Sequence, residues 1–327
     1  MLNNSAVTQP PKALIIGSSG QTGAYLAESL SARGFTIIGT SNAREIDPEI
    51  KKYFDVVHNL DIRNQDSVTE ILRKEIPDYI FNFAGLSSVM ECDKNPELSR
   101  EINFLGVENI LRAIVASQNP QRKKPLFVQA SSSEMFSGEP SVKGIDEKTP
   151  INPGSVYGQD KADAQDLIFN FANEFGFPAL SLILFNHESP RRQPKFLSRK
   201  VTKAVKEIAS GQKRSLKLGN LDVGRDWGYA PDYAEAIALA AEANLTGKLV
   251  VAMNQLNSVR DFVKIAFEHA NLDYRNFIEI DYTLVRKNER PGIFGIHRKL
   301  VEELGWKATY DFDGLVGKLV NDEFATS

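Results

Sequence analysis

Through the first 185 residues, short runs rich in β-branched residues alternate with longer amphipathic stretches. Ala13–Gly17, Phe35–Thr40, Asp55–Asn59, Tyr79–Phe83, Leu126–Gln129 and Leu180–Phe185 read as strands. Between them, Gly20–Arg33, Asp66–Ile76, Leu98–Gln118 and Asp160–Phe175 carry apolar positions at helical spacing. Strand and helix in alternation predict an α/β fold, a doubly wound parallel sheet covered by helices on both faces. Beyond Asn186 the alternation loosens, and Pro190, Pro194 and Pro231 are expected to break elements. A smaller mixed α/β lobe is expected there. The expected division is 1–185 with 224–248, against 186–223 with 249–327.

Composition narrows the class without naming it. Of 327 residues, 42% are hydrophobic and 25% charged, which suits an ordinary soluble protein with a sizeable core. The single cysteine, Cys92, excludes an internal disulfide, and the polar start from Met1 to Lys12 has no apolar signal core. No run approaches the roughly 18 apolar residues of a membrane span. A cytoplasmic protein without a membrane partner is expected, and no metal site. A net charge of −3 gives no global pull toward nucleic acid. The stretch from Arg191 to Arg214, however, sets many cations against one acid, Glu207. It reads either as a cradle for an anion or as a solvated helix face, since Lys195, Arg199 and Lys203 fall at helical spacing.

Gly17-Ser18-Ser19-Gly20-Gln21-Thr22-Gly23 follows the first strand and opens the first helix. Glycines there serve a tight turn, close approach of backbone to a pyrophosphate and helix–sheet packing, with the helix N-terminus facing the phosphates. The spacing resembles the short-chain dehydrogenase version of a Rossmann-type dinucleotide site, though a plain turn would also use these residues. At the end of the second strand stand Thr40, Ser41, Asn42, Ala43 and Arg44, with no acid to repel a 2′-phosphate, so NADP is expected over NAD. Leu60 and Asp61, then Phe83 and Ala84, follow the third and fourth strands and complete the expected cofactor set. Asp61 reads alternatively as a helix cap or turn residue.

Tyr157 and Lys161 are one helical turn apart, so phenol and ammonium share a face, and the cation can lower the phenol pKa toward proton abstraction. Upstream, Ser131-Ser132-Ser133-Glu134 follows a buried strand. If the segment stays extended, Ser132 and Glu134 point the same way and flank a substrate together. A ketoreductase needs the hydroxyl, tyrosine and lysine alone; the carboxylate is what removal of a carbon-bound proton adds. Ser-Glu is also a helix-capping pair.

These segments, together with Leu184-Phe185-Asn186-His187-Glu188-Ser189-Pro190-Arg191-Arg192, Leu218-Gly219-Asn220-Leu221-Asp222, Arg225-Asp226-Trp227-Gly228 and Ser258-Val259-Arg260-Asp261-Phe262, resemble the GDP-mannose 4,6-dehydratases. A weaker echo lies at Leu304-Gly305-Trp306-Lys307. The resemblance implies a nucleotide-sugar-binding second lobe and a lyase that recycles NADP(H) internally. Tyr157, helped by Lys161, takes the C4 hydroxyl proton as hydride passes to NADP⁺; Glu134 removes the C5 proton; water leaves C6 with help from the Ser132/Glu134 pair; and hydride returns to C6. It further implies that His187 and Arg192 touch the nicotinamide cofactor. Ser87, Asn186 and Glu188 face the sugar, Arg225 and Arg290 hold the diphosphate with Lys200 beside them, and Leu218 and Gly219 belong to the substrate set.

The chain departs from the family pattern in places. Serine stands at 132 where threonine is common. Asn42 and Ala43 replace an arginine pair, and the loop to Asp55 is short where the family has a long one that grips a neighbouring subunit, which leaves the family's tetramer open for this chain. A homodimer through Leu98–Gln118 and Asp160–Phe175 is expected. Leu86 and Ser88 replace the usual glutamine and histidine beside the sugar. A dehydratase, epimerase or 4-ketoreductase for another nucleotide sugar, such as a GDP-heptose, is therefore the competing enzyme reading. A non-catalytic cofactor-binding regulator is the other class, opposed by the presence together of Ser132, Glu134, Tyr157 and Lys161.

Overall fold

The computed structural model describes residues 9–43, 45–139, 142–285 and 291–325. The first half runs β1 (Lys12–Ile16), α1 (Gln21–Ala32), β2 (Thr36–Ser41), α2 (Pro48–Lys51), β3 (Val56–Asn59), α3 (Gln65–Glu75), β4 (Tyr79–Asn82), α4 (Val89–Lys94), α5 (Pro96–Arg100), α6 (Gly106–Ala116), β5 (Leu126–Ser132), β6 (Lys143–Ile145), α7 (Val156–Phe175) and β7 (Ala179–Leu184). There follow β8 (Asn186–Glu188), α8 (Leu197–Ala209), β9 (Leu216–Leu218), β10 (Gly224–Arg225), β11 (Trp227–Tyr229), α9 (Ala230–Glu242), β12 (Gly247–Val251), β13 (Asn257–Ser258), α10 (Val259–Glu268), β14 (Ile278–Ile280), β15 (Ile293–Gly295), α11 (Arg298–Leu304) and α12 (Phe312–Ala325).

Seven parallel strands form the central sheet in the order β12-β7-β5-β4-β1-β2-β3. Because side chains alternate across a strand, Ala13 and Ile15 of β1 face one core with α1 and α9, while Leu14 and Ile16 face another with α3, α6 and α7. The order reverses between β1 and β4, and a crevice at their C-terminal ends is where such sheets receive ligands. All six expected strands and the first two helices are present. The expected helix Leu98–Gln118 is instead α5 and α6 joined by a π-helical turn over Glu101–Leu105.

The second lobe packs α8, α10 and α12 around Phe262, Trp227 and Phe312. Pro231 does not break an element; it sits in the first turn of α9, where its missing N–H costs nothing. The expected lobe boundary at 248 falls inside β12, which continues the sheet to Val251, and β10 pairs with β13 of the second lobe. Buried Asp226 ties these parts, accepting backbone N–H bonds from Met253 (2.8 Å), Gly295 (3.1 Å) and Gln255 (3.3 Å). The chain then returns to the first lobe: Leu300 and Trp306 join the core beneath α9, where the indole donates to the Asp232 carbonyl at 2.8 Å. No helix among the described residues is long and apolar enough to cross a membrane.

Candidate active site

A cleft of about 430 Å³ opens at the crevice between β1 and β4. That is the size of a small-molecule site. Its first wall is the glycine turn. Gly17 has φ +84, and a Cβ on it would sit 2.7 Å from the Ala84 nitrogen, so only glycine lets the β1 and β4 exits meet. The N–H groups of Gly17 and Ser18 both donate to the Thr40 carbonyl, at 3.0 and 2.9 Å, which pins the turn to β2. Helix α1 then starts on Gly20 with no side-chain cap and no acid in its first turn, leaving its positive end for an anion. Ser19 Oγ lies 2.8 Å from Ser41 Oγ at the tip of β2.

Gln21 and Thr22 also line the cleft, but their side chains are held by β8 and the residue after it. Gln21 donates to the His187 carbonyl (2.9 Å) and accepts from Ser189 (2.7 Å), while Thr22 Oγ1 lies 2.8 Å from His187 Nε2. Burial, with Arg192 nearby, pushes His187 down to about 4, so the ring is neutral. Its Nδ1 then donates to the Phe185 carbonyl at 2.9 Å and its Nε2 accepts from Thr22.

The second wall is β5 with the turn after it. Extension ends at Ser132, whose Oγ accepts the Glu134 N–H at 3.2 Å and caps a 3₁₀ turn over Ser133–Phe136. The expectation that Ser132 and Glu134 alternate along one strand is thereby corrected: the capping geometry holds. Both residues line the cleft nonetheless. Helix α7 starts at Val156, earlier than expected, and lies directly on this turn. A Cβ on Gly158 would stand 2.3 Å from the Glu134 carbonyl oxygen.

Burial pushes the Tyr157 phenol up to about 12; a hydrogen bond with Ser132 opposes the shift and the Glu134 charge adds to it. Lys161 is pushed down by burial to about 8. Its ammonium donates to the Ala130 carbonyl at 2.9 Å and stands 5.8 Å from the Tyr157 ring centroid. The two share a face as expected, but burial sets the direction of the phenol's shift, which is upward.

Several expected residues stand elsewhere. Glu188 is buried behind the cleft wall, bonded to Ser198 and 3.5 Å from Arg192, and burial raises its pKa. Lys200 donates to the Lys217 carbonyl at 2.9 Å, Leu218 is core, Gly219 abuts Leu284, and Arg225 donates to the Gly224 carbonyl at 2.8 Å; none of these lines the cleft. Asp61 is a turn residue, its carboxylate 2.6 Å from Arg63 and held below the usual range by that bond. Leu60 is buried and donates to the Ser41 carbonyl at 3.0 Å. Ser87, Phe83, Asn186 and Arg192 do line the cleft. Arg44 and Arg290 lie outside the described residues. Three cations of the basic stretch meet acids distant in sequence, Arg191 with Glu28 (3.5 Å), Lys195 with Glu91 (2.6 Å) and Arg199 with Glu323 (2.7 Å), and three meet near ones, Arg192 with Glu188 and Lys203 and Lys213 with Glu207.

One supporting residue escapes a reading of the sequence. Asn103, buried in the π-helical turn, accepts from the Leu86 N–H (3.0 Å) and donates to the Leu86 carbonyl (3.1 Å), fixing the loop between β4 and α4. A π turn is frequent at functional sites. Its only trace in the sequence is an amide among the apolar neighbours Ile102 and Phe104.

Known proteins resemble this chain in sequence and in fold. A family model described as GDP-mannose 4,6 dehydratase matches residues 14–319. GDP-mannose 4,6 dehydratase 2 of Arabidopsis thaliana is 33% identical over 98% of this chain and 89% of its own length. The GDP-mannose 4,6 dehydratase of Homo sapiens is 30% identical over 94% and 90%. Among solved structures, the Thermus thermophilus UDP-glucose 4-epimerase in complex with NAD matches with a TM-score of 0.84 at 24% identity, covering 97% of this chain and 100% of that one. DesIV, a dTDP-glucose 4,6-dehydratase from Streptomyces venezuelae with NAD and TYD bound, matches at 0.80 and 21%, covering 94% and 95%.

Proposed function

The chain belongs to the GDP-mannose 4,6-dehydratase family, and from that premise we propose that it is a hydro-lyase converting GDP-mannose to GDP-4-keto-6-deoxymannose and water, with NADP(H) recycled in each turnover. One observation carries the reading: Glu134 lines the same cleft as Ser132, Tyr157, Lys161 and the glycine turn. Simple reduction of a ketone has no use for it.

The residues fit a nicotinamide dinucleotide. Gly17 admits no Cβ, α1 begins uncapped, and the Ser19 and Ser41 hydroxyls meet at the β2 tip with no acid among the described residues 41–43. Ser19 and Ser41 would hold the ribose end, the start of α1 the pyrophosphate, and Lys161 and Tyr157 the nicotinamide end. When bound, the cofactor supplies acceptance of hydride at C4 and its return at C6. Tyr157 takes the C4 hydroxyl proton with Ser132 holding the phenol in line, and Lys161, anchored on Ala130, supplies the charge that offsets the phenolate. A C4 ketone acidifies C5, and Glu134 receives that proton. The same carboxyl then protonates the departing C6 hydroxyl, which leaves as water; hydride return to C6 is matched by a proton to C5, and the proton that Tyr157 took from the C4 hydroxyl supplies it. Neutral His187 and Thr22 keep β8 against α1 throughout.

The test is incubation of purified protein with GDP-mannose and substoichiometric NADP. A 4-keto product lighter by one water supports the reading; a stoichiometric drain of NADPH by a keto-sugar would make the protein a reductase instead. A second reading, the same chemistry on another nucleotide sugar, is favoured by Leu86 and Ser88 on the cleft wall. A panel of nucleotide sugars in the same assay separates the two. Pairing of two copies through α5, α6 and α7 goes with either. Leu98 and Leu105 stay 38% and 43% exposed on that face, and sedimentation would report the dimer.

A further inference from the structure

Among the described residues, four cations line the cleft: Lys161, Arg191, Arg192 and Lys195. Three have fixed duties. Lys161 sits on the Ala130 carbonyl. Arg191 packs 4.3 Å over the Tyr25 ring of α1, and Arg192 lies 3.5 Å from buried Glu188. Lys195 differs. It follows Pro194 in a turn closed by the Phe196 N–H on the Gln193 carbonyl (3.1 Å), immediately before α8, and its ammonium crosses to Glu91 of α4 at 2.6 Å. Both side chains of that pair are nearly half exposed, 44% and 46%. A pair so exposed to water contributes little and is easily exchanged.

We propose that Lys195 is a ligand for the substrate's diphosphate and that Glu91 holds its ammonium in readiness at the rim until the substrate arrives. The inference rests on the reading that a nucleoside diphosphate sugar is the substrate. In such a sugar the diphosphate hangs from C1, across the ring from C4. With C4 at Tyr157, the diphosphate leads away from the catalytic wall, and Lys195, nearly half exposed, lines the cleft together with Leu197 and exposed Met90. A diphosphate offers more charge and more acceptor oxygens than one carboxylate, so it displaces Glu91. The released carboxylate is then free in water.

Opposite effects of the two partners test the exchange. Calorimetric Kd values are taken on the whole chain with GDP-mannose, GDP, UDP and dTDP. Lys195→Ala is expected to weaken binding about tenfold. Glu91→Gln is expected to tighten it about threefold, because the lysine no longer has to be freed. Both changes shrink with added salt, and NADPH affinity stays as in the unaltered chain. If both substitutions shift affinity the same way, the pair is a simple latch and the proposal falls; if neither does, it is a bystander and the proposal falls. Should GDP-mannose go unprocessed while another nucleoside diphosphate binds, the substrate assignment fails and Lys195 is judged with that nucleotide. If the unaltered chain binds none of them, both fail.

Discussion

Glu134→Gln separates the two proton transfers that meet in the cleft. The substitution is close to isosteric. It leaves the backbone anchors of the turn intact, the Glu134 N–H on Ser132 Oγ at 3.2 Å and the Ser137 hydroxyl on the Glu134 carbonyl at 2.8 Å. Binding of cofactor and nucleotide sugar is therefore kept. Loss of a positioned general base costs about 10²–10⁴ in rate, or about 3–5 kcal/mol of barrier. The first step responds the other way. The Glu134 charge is one of the causes that lift Tyr157 to about 12, so an amide there lowers the phenol and moves the onset of C4 oxidation to lower pH. Two measurements read this: overall water loss by mass, and single-turnover C4 oxidation followed by cofactor absorbance across pH. Undiminished dehydration, or an oxidation profile displaced upward, would refute the reasoning.

Other outcomes are equally specific. Tyr157→Phe should slow single-turnover C4 oxidation at least about a hundredfold while leaving substrate affinity in place; an unchanged burst removes the tyrosine as base. Thr22→Val strands the Nε2 of buried His187 and should cost about 1–3 kcal/mol in urea unfolding, a figure contradicted by a shift of a few tenths. His187 titrates at about 4 in the folded chain against about 6.5 unfolded, so the unfolded state takes up the proton first and stability falls as pH drops through that window. Asp226, raised to about 6 by burial, tilts stability the opposite way over its own range, from 3.8 to about 6. The histidine is therefore read as the difference between the unaltered chain and His187→Gln, and a difference flat with pH would count against it.

The alternation of short apolar runs with helical stretches was enough to give the sheet, because strands separated by crossover helices pair in parallel. Local motifs were legible to the same degree: glycines at the β1 exit and a tyrosine one turn before a lysine have few other ways to be arranged. Side-chain destinations were not. Lys161 goes to a carbonyl on β5, and Glu28, Glu91 and Glu323 take up Arg191, Lys195 and Arg199 of the basic stretch. Partners that far away in sequence leave no trace in spacing. The Ser-Glu pair shows the limit from the other side, since both readings of it were open and the local hydrogen bond at Ser132 decided for the cap. The π turn was hidden because helical periodicity continues on either side of it.

The return of the C-terminal segment bears on how the protein is made. Leu300 and Trp306 cover a face of the first lobe that includes α9, and they are synthesised after every strand of the central sheet. Until then the nascent chain carries an uncovered oily patch next to a nearly finished sheet. A shortened product ending before α11 would expose that patch permanently, and would therefore be prone to clump rather than persist as a smaller soluble unit.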